Sequence, residues 1–313
     1  MGTLDIKRIL VAVDEKGLAV DAIERAARLA HSLGAEVRAV HAVEVPLAPW
    51  PGASKQELDE LRAKTMVAAR ERVLEVIGRA QERTDVELPT EDDLVVSPGR
   101  AAKVLLGEAA ELRADLLVIG PHTDRSRFDF GSTTRALLGH ATVPVWAQVG
   151  AVTPVRRVLA TIDFSDHSRH VLEYSVELCR RLEATLEVLH CYSPPLFAYA
   201  TTPDGVAAPA YVIEQERKSL REMLERWTGE CGLDGARATF REGEIVETVL
   251  QVAEGADLVV LGTHGRTGLT RFLLGSVAYG VLSRASKPVL VVPSKQQSWL
   301  LGAPEQTVAA SVE

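Results

Sequence analysis

Apolar residues fall along this chain in two alternating patterns. Short unbroken runs are followed by longer stretches in which apolar positions recur every three or four residues. The first run, Ile9-Leu10-Val11-Ala12-Val13, is closed by Asp14 and has the length and composition of a buried strand. Ala22, Ile23, Ala26, Ala27, Leu29 and Ala30 then occupy one face of a helix. Glu36 to His41 reads as a second strand, Ser54 to Arg83 as a long helix, and a third strand stops before Gly99. After a further helix come Leu116-Leu117-Val118-Ile119 and, last, Val143-Pro144-Val145-Trp146-Ala147. Strands alternating with helices predict a parallel sheet covered on both faces.

The second half repeats this order. Arg157-Val158-Leu159-Ala160-Thr161-Ile162-Asp163 matches the run from Arg8 to Asp14, and a helical face of Val171, Leu172, Tyr174, Ser175, Leu178 and Cys179 follows it. Ser165 and Asp166 supply N-cap chemistry for that helix. Thr185 to His190 matches Glu36 to His41, both strands ending in histidine, with Pro195 and Pro46 five residues further on. A helix from about Tyr211 to Cys231 takes the place of the long first-half helix, and Gly243 follows the third strand as Gly99 does. Ala256-Asp257-Leu258-Val259-Val260-Leu261-Gly262 mirrors Ala114-Asp115-Leu116-Leu117-Val118-Ile119-Gly120, and Val289 to Val292 mirrors Val143 to Ala147. Two copies of β-α-β-α-β-α-β-α-β are expected, at residues 5–149 and 155–293, with a linker at 150–156 and a polar tail at 294–313.

Composition narrows the function. The 313 residues suffice for two domains of about 150 each. A hydrophobic share of 46% and a charged share of 25% are those of a soluble globular protein. The formal net charge of −8 argues against a nucleic-acid partner, and no apolar run approaches the ~20 residues of a membrane helix. Cys179, Cys191 and Cys231 form no disulfide framework, and the first residues carry no signal-peptide pattern, so a cytoplasmic location is expected. Ser193 to Ala210, rich in Pro and Ala and carrying Phe197 and Tyr199, is longer than a routine connection, and reads either as a flap over a site or as a surface loop.

The candidate chemistry gathers after the second-half strand ending at Leu261. Gly262-Thr263-His264-Gly265 opens a loop that closes at Gly275-Ser276, where a short helix to Ala285 begins. Glycines at 262 and 265 can adopt positive φ and admit a ligand close to the backbone. A helix starting at Ser276 offers unpaired N–H groups to an anion. A tight strand-to-helix turn needs glycine for steric reasons alone, so the loop by itself leaves both readings open. The spacing is more specific. Glycine, two residues, glycine, nine residues and Gly-Ser resembles the signature of the ATP-binding universal stress proteins, and both halves of the chain resemble domains of that family joined in tandem.

The resemblance implies a Rossmann-like α/β fold of the adenine nucleotide alpha hydrolase type, with a five-stranded parallel sheet in each domain. It implies that the second domain holds ATP, ADP or AMP, with or without Mg²⁺. By position in the family's motif, Asp163 would lie beside adenine and ribose, and Thr161, Cys191 and Leu261 would line the base pocket. Gly262, Gly265, Gly275, Ser276 and Val277 would meet ribose and phosphates. A carboxylate accepts from ribose hydroxyls but repels phosphate, so Asp163 belongs away from the phosphates. Domains of the family pair through their last strands, which implies pairing of the two halves here and allows a homodimer of the whole chain.

The halves differ at the loop. The first reads Gly120-Pro121-His122-Thr123-Asp124, with Thr123 in place of the second glycine, two residues fewer before Gly131, and the added charges of Asp124 and Asp129. A Cβ at 123 and two carboxylates both oppose a triphosphate, so the first half is expected not to bind ATP in the family's manner. No Gly-Lys-Ser/Thr phosphate loop and no acidic pair for Mg²⁺ is evident, so no catalytic residue is assigned, and His264, Arg266 and Arg271 read as loop residues. His41 and His190 read as hydrogen-bonded fold residues rather than metal ligands. The leading expectation is a nucleotide-responsive stress or regulatory module. The alternatives are a nucleotide-independent scaffold or apolar-ligand binder, and a slow ATPase.

Overall fold

The structure, a computed structural model of the chain, describes residues 5–45, 54–121, 132–193, 210–263 and 274–294. The first half runs β1 (Arg8–Ala12), α1 (Val20–Leu33), β2 (Glu36–Val43), α2 (Lys55–Gln81), β3 (Leu94–Pro98), α3 (Ala101–Leu112), β4 (Leu116–Ile119), α4 (Ser132–His140) and β5 (Val145–Ala147). The second half repeats it as β6 (Arg157–Thr161), α5 (Asp166–Leu182), β7 (Thr185–Tyr192), α6 (Ala210–Glu230), β8 (Arg237–Glu242), α7 (Ile245–Ala253), β9 (Leu258–Gly262), α8 (Ser276–Leu282) and β10 (Val289–Val292). This is the alternating α/β order that the apolar pattern predicts, at nearly the same bounds.

All ten strands form one sheet in the order β3-β2-β1-β4-β5-β10-β9-β6-β7-β8. Every neighbouring pair is parallel except β5 with β10, whose antiparallel register sets Trp146 opposite Leu290. Strand residues alternate between two cores. Ile9, Val11, Val158 and Ala160 face α1, α2, α5 and α6, while Leu10, Leu117, Leu159 and Val259 face α3, α4, α7 and α8. Both faces are buried, which is why the strands read as continuous apolar runs rather than as alternating ones.

The repeated Ala-Asp before β4 and β9 has a mechanical role. Asp115 Oδ2 accepts from the N–H groups of Lys7 and Arg8, both at 2.9 Å, and so fixes the start of β1. Asp257 Oδ2 does the same for Arg156 and Arg157, at 3.1 and 2.9 Å, at the start of β6. The expectation of a long helix from Ser54 is met by a capping box, in which Ser54 Oγ accepts from Glu57 N–H at 3.2 Å and the Glu57 carboxylate accepts from Ser54 N–H at 2.7 Å.

In each half the chain winds outward in two directions from the first strand. β6 leads to β7 and β8 on one side, and to β9 and β10 on the other. The order reverses between β6 and β9, and an open α/β sheet of this topology has its ligand crevice at the carboxyl ends of those strands. The residues at those ends are Thr161-Ile162-Asp163 and Leu261-Gly262-Thr263.

Candidate functional site

The chain leaves β6 through Asp163-Phe164-Ser165. Phe164 stands at φ +61°, in the left-handed region that costs a residue with a Cβ roughly 1–2 kcal/mol. Its ring packs 4.4 Å from the His190 ring and edge-on at 5.3 Å to Trp227, which holds the turn in that conformation. Ser165 is the N-cap of α5, its side chain accepting from Ser168 N–H at 3.2 Å. Asp163 Oδ1 gathers donors from Ser165 N–H at 3.1 Å, Ser165 O–H at 2.6 Å and the Ser168 hydroxyl. The aspartate thus fastens the start of α5 as well as lining the crevice. A carbonyl oxygen can only accept, so His190 Nδ1–H donates to Ile162 at 2.9 Å and ties the end of β7 to the end of β6. His41 makes the same bond to Val13 at 2.7 Å in the first half. Both histidines serve the fold, as their sequence context suggests.

β9 delivers Gly262 and Thr263. Gly262 is not in the left-handed region, in contrast to the expectation of positive φ there. Its need for glycine is one of space, because an added Cβ would stand 2.5 Å from Nε2 of His167 and 3.2 Å from Val171. Thr263 closes the base of the loop: its carbonyl accepts from Gly275 N–H at 2.7 Å, and its N–H donates to Val292 at 3.1 Å. Gly275 is the N-cap of α8, at φ −58° and ψ 149°, and Ser276 is the first helical residue of its seven. The amides of that first turn have no acceptor within the helix.

These ends surround a cavity of about 490 Å³, a size that suits a small organic ligand. Thr161, Asp163, Cys191, Leu261, Gly262, Gly275, Ser276 and Val277 all line it. The structure therefore brings together eight of the nine positions singled out by the motif; the ninth, Gly265, lies outside the described residues. So do His264, Arg266 and Arg271, the first-half loop from 122 to 131, and the greater part of the 193–210 connection. Sequence reasoning missed several of the cavity's other residues. Ile245 and Val249 of α7 and Leu220 of α6 supply apolar wall, while Tyr192 donates to Glu216 at 2.7 Å across one side. The apolar faces of α6 and α7 announce burial, but not which neighbour shares it. Burial, helped by the Glu244 carboxylate, pushes the Cys191 thiol up to about 12, so it lines the cavity as an unreactive group.

The first half builds the corner differently. Asp14 commits both carboxylate oxygens to backbone N–H groups, Oδ1 to Lys16 at 2.6 Å and Oδ2 to Ala19 at 2.7 Å. Its histidine is joined to a charged relay, His41 Nε2 lying 3.1 Å from Glu15, which in turn pairs with Arg72 at 2.6 Å.

Fold and site together define a tandem Rossmann-like α/β protein with a cavity at the switch point of its second repeat. The model of the universal stress protein family matches the chain twice, at residues 5–147 and 154–293. The chain belongs to the universal stress protein family. It is 32% identical over 146 residues to universal stress protein A homolog 1 of Coxiella burnetii, covering 45% of this chain and 98% of that protein. It is 27% identical over 302 residues to a universal stress protein of Mycolicibacterium smegmatis, covering 91% of this chain and 96% of that one. In fold it is similar to a universal stress protein of Archaeoglobus fulgidus solved by crystallography, with a TM-score of 0.60 at 17% identity over 91% of this chain and 98% of that one.

Proposed function

We propose that the chain is a nucleotide-responsive stress module whose second repeat, residues 155–293, binds ATP or its di- or monophosphate, with or without Mg²⁺. The observation that carries this reading is the convergence of eight motif positions on one cavity at the carboxyl ends of β6, β7 and β9. The donor set suits the ligand. Leu261, Ile245 and Val249 offer an apolar slot for a purine, and Asp163 offers an acceptor for a ribose hydroxyl. Gly275, Ser276 and Val277 face the same space; Ser276 and Val277 offer backbone N–H groups, and Ser276 a hydroxyl, to phosphate oxygens, while glycine at 275 lets them approach. The carboxylates of Asp163 and Glu216 disfavour phosphate at their own end, which orients the nucleotide. The first repeat, residues 5–149, serves as a partner domain, its counterpart aspartate being spent on the backbone. In this reading the β5–β10 seam holds the two repeats together in solution, the whole chain is free to form a homodimer, and the protein works in the cytoplasm. No residue is assigned a chemical step; the bound nucleotide acts by biasing a conformation or a partner.

Gly265→Asp places a carboxylate in the loop between Thr263 and Gly275. ATP binding measured by calorimetry is expected to fall by at least about tenfold, from like-charge repulsion with the phosphates, while the unfolding midpoint stays at the wild-type value. Unchanged affinity in that variant would favour a scaffold or apolar-ligand role instead.

A further inference from the structure

A second concavity lies where α1, the 150–156 linker and the end of α5 meet. This groove has a volume of about 890 Å³ and is lined by Arg25, Arg28, Arg156, Arg181 and His31, with Glu183 the one lining carboxylate among the described residues. Its basic character stands against a chain of net charge −8. Local acids offset part of it: Arg28 pairs with Glu24 at 3.0 Å and Asp85 at 3.5 Å, and Arg181 pairs with Glu177 at 3.4 Å. Arg25 is different. Its side chain belongs to a residue only 4% exposed, yet its partners are neutral: Gln148 Oε1 accepts from Nε at 3.1 Å and the Thr153 carbonyl accepts from Nη2 at 2.7 Å. Its guanidinium lies 5.2 Å from the centre of the Trp146 ring. Among the described residues no carboxylate stands within ion-pair distance of Arg25 or Arg156. Burial disfavours the charge of Arg25, and the carboxylates that offset it, Glu24 and Asp257, act only from beyond ion-pair distance, so an anion in the groove would meet an incompletely balanced cation. Among the described lining residues the permanently charged cations are all arginine, whose planar fork matches an oxyanion in two-point fashion.

We propose that this groove is a second ligand site of the chain, for a small oxyanion of the phosphate or pyrophosphate class. The anion sits against the linker, and its occupancy ties the position of one repeat to the other through Arg25, Gln148 and Thr153. The inference is independent of the nucleotide reading, which concerns the cavity at Asp163.

Pyrophosphate alone is the probe, titrated at constant ionic strength into the full chain and followed by calorimetry. Arg25 is too buried to change safely, so the variant is Arg156→Ala with Arg181→Ala, two side chains on the groove's exposed rim. Loss of both is expected to weaken pyrophosphate binding by about tenfold or more while leaving the unfolding midpoint in the absence of ligand unchanged. The Gly265→Asp variant is expected to bind pyrophosphate as the wild type does. Failure of the wild type to bind overturns the proposal, as does undiminished binding by the double variant. Binding lost in Gly265→Asp but kept in the double variant also overturns it, because the anion would then occupy the glycine loop.

Discussion

A methyl group at position 262 would meet His167 where β9 packs against α5, 2.5 Å from its Nε2. The imidazole cannot simply withdraw, because its Nε2–H donates to the Val292 carbonyl at 3.1 Å and links α5 to β10. Gly262→Ala is therefore expected to lower stability by about 1–3 kcal/mol in urea unfolding, as overpacking of a fitted site does. Adding His167→Ala is expected to recover part of that loss, since the two changes share one contact. A neutral Gly262→Ala would show the crowding to be unimportant. The first repeat has the same device by other means: a Cβ on Gly120 would stand 3.1 Å from Ala19 Cα. Which glycines matter was legible in the sequence, from their place at strand ends before a loop. Why they matter was not, because neither φ nor the approach of a residue some ninety positions away can be read from spacing. Phe164 is a sharper case. Nothing in the string Asp163-Phe164-Ser165 marks the phenylalanine as left-handed; its packing against His190 and Trp227, both distant in sequence, decides it.

At the scale of elements, the Asp257 clamp explains why the repeat preserves an acid before a buried strand. Burial acts to raise its pKa, but the Arg157 side chain and the N–H groups of Arg156 and Arg157 outweigh burial and hold the carboxyl below its usual range. A group whose folded pKa is depressed contributes stability above its unfolded pKa and loses it as pH falls through the folded value. Asp257→Asn is accordingly expected to cost about 1–2 kcal/mol at neutral pH, the worth of hydrogen bonds to a charged acceptor. The gap between variant and wild type in urea midpoints is expected to close as pH drops below the ordinary carboxylate range. A gap independent of pH would mean that the charge does not matter. The elements themselves were largely legible, since strands buried on both faces leave unbroken apolar runs and helices leave a stripe. α5 and α6 begin within a residue of the expected places. Cavity walls were less legible: Leu220, Ile245 and Val249 carry ordinary core-facing signatures, and only tertiary packing turns them toward the site.

For the whole molecule, the antiparallel β5–β10 pair converts two five-stranded sheets into one of ten, and the buried Trp146 sits at its centre. Trp146 Nε1–H donates to Gln148 Oε1 at 3.0 Å, the same oxygen that accepts from Arg25, so strand, linker and α1 meet in one polar network. The two repeats share a scaffold and differ in their corners. Asp14 is satisfied by backbone N–H groups, whereas Asp163 shares a cavity with a complete set of motif residues apart from the loop glycine. The stoichiometry of ATP binding tests that asymmetry most directly. Calorimetric titration of ATP into the full chain is predicted to give one site per chain. Two sites would contradict the assignment of the first repeat as a partner domain, and no binding would contradict the nucleotide reading of the second.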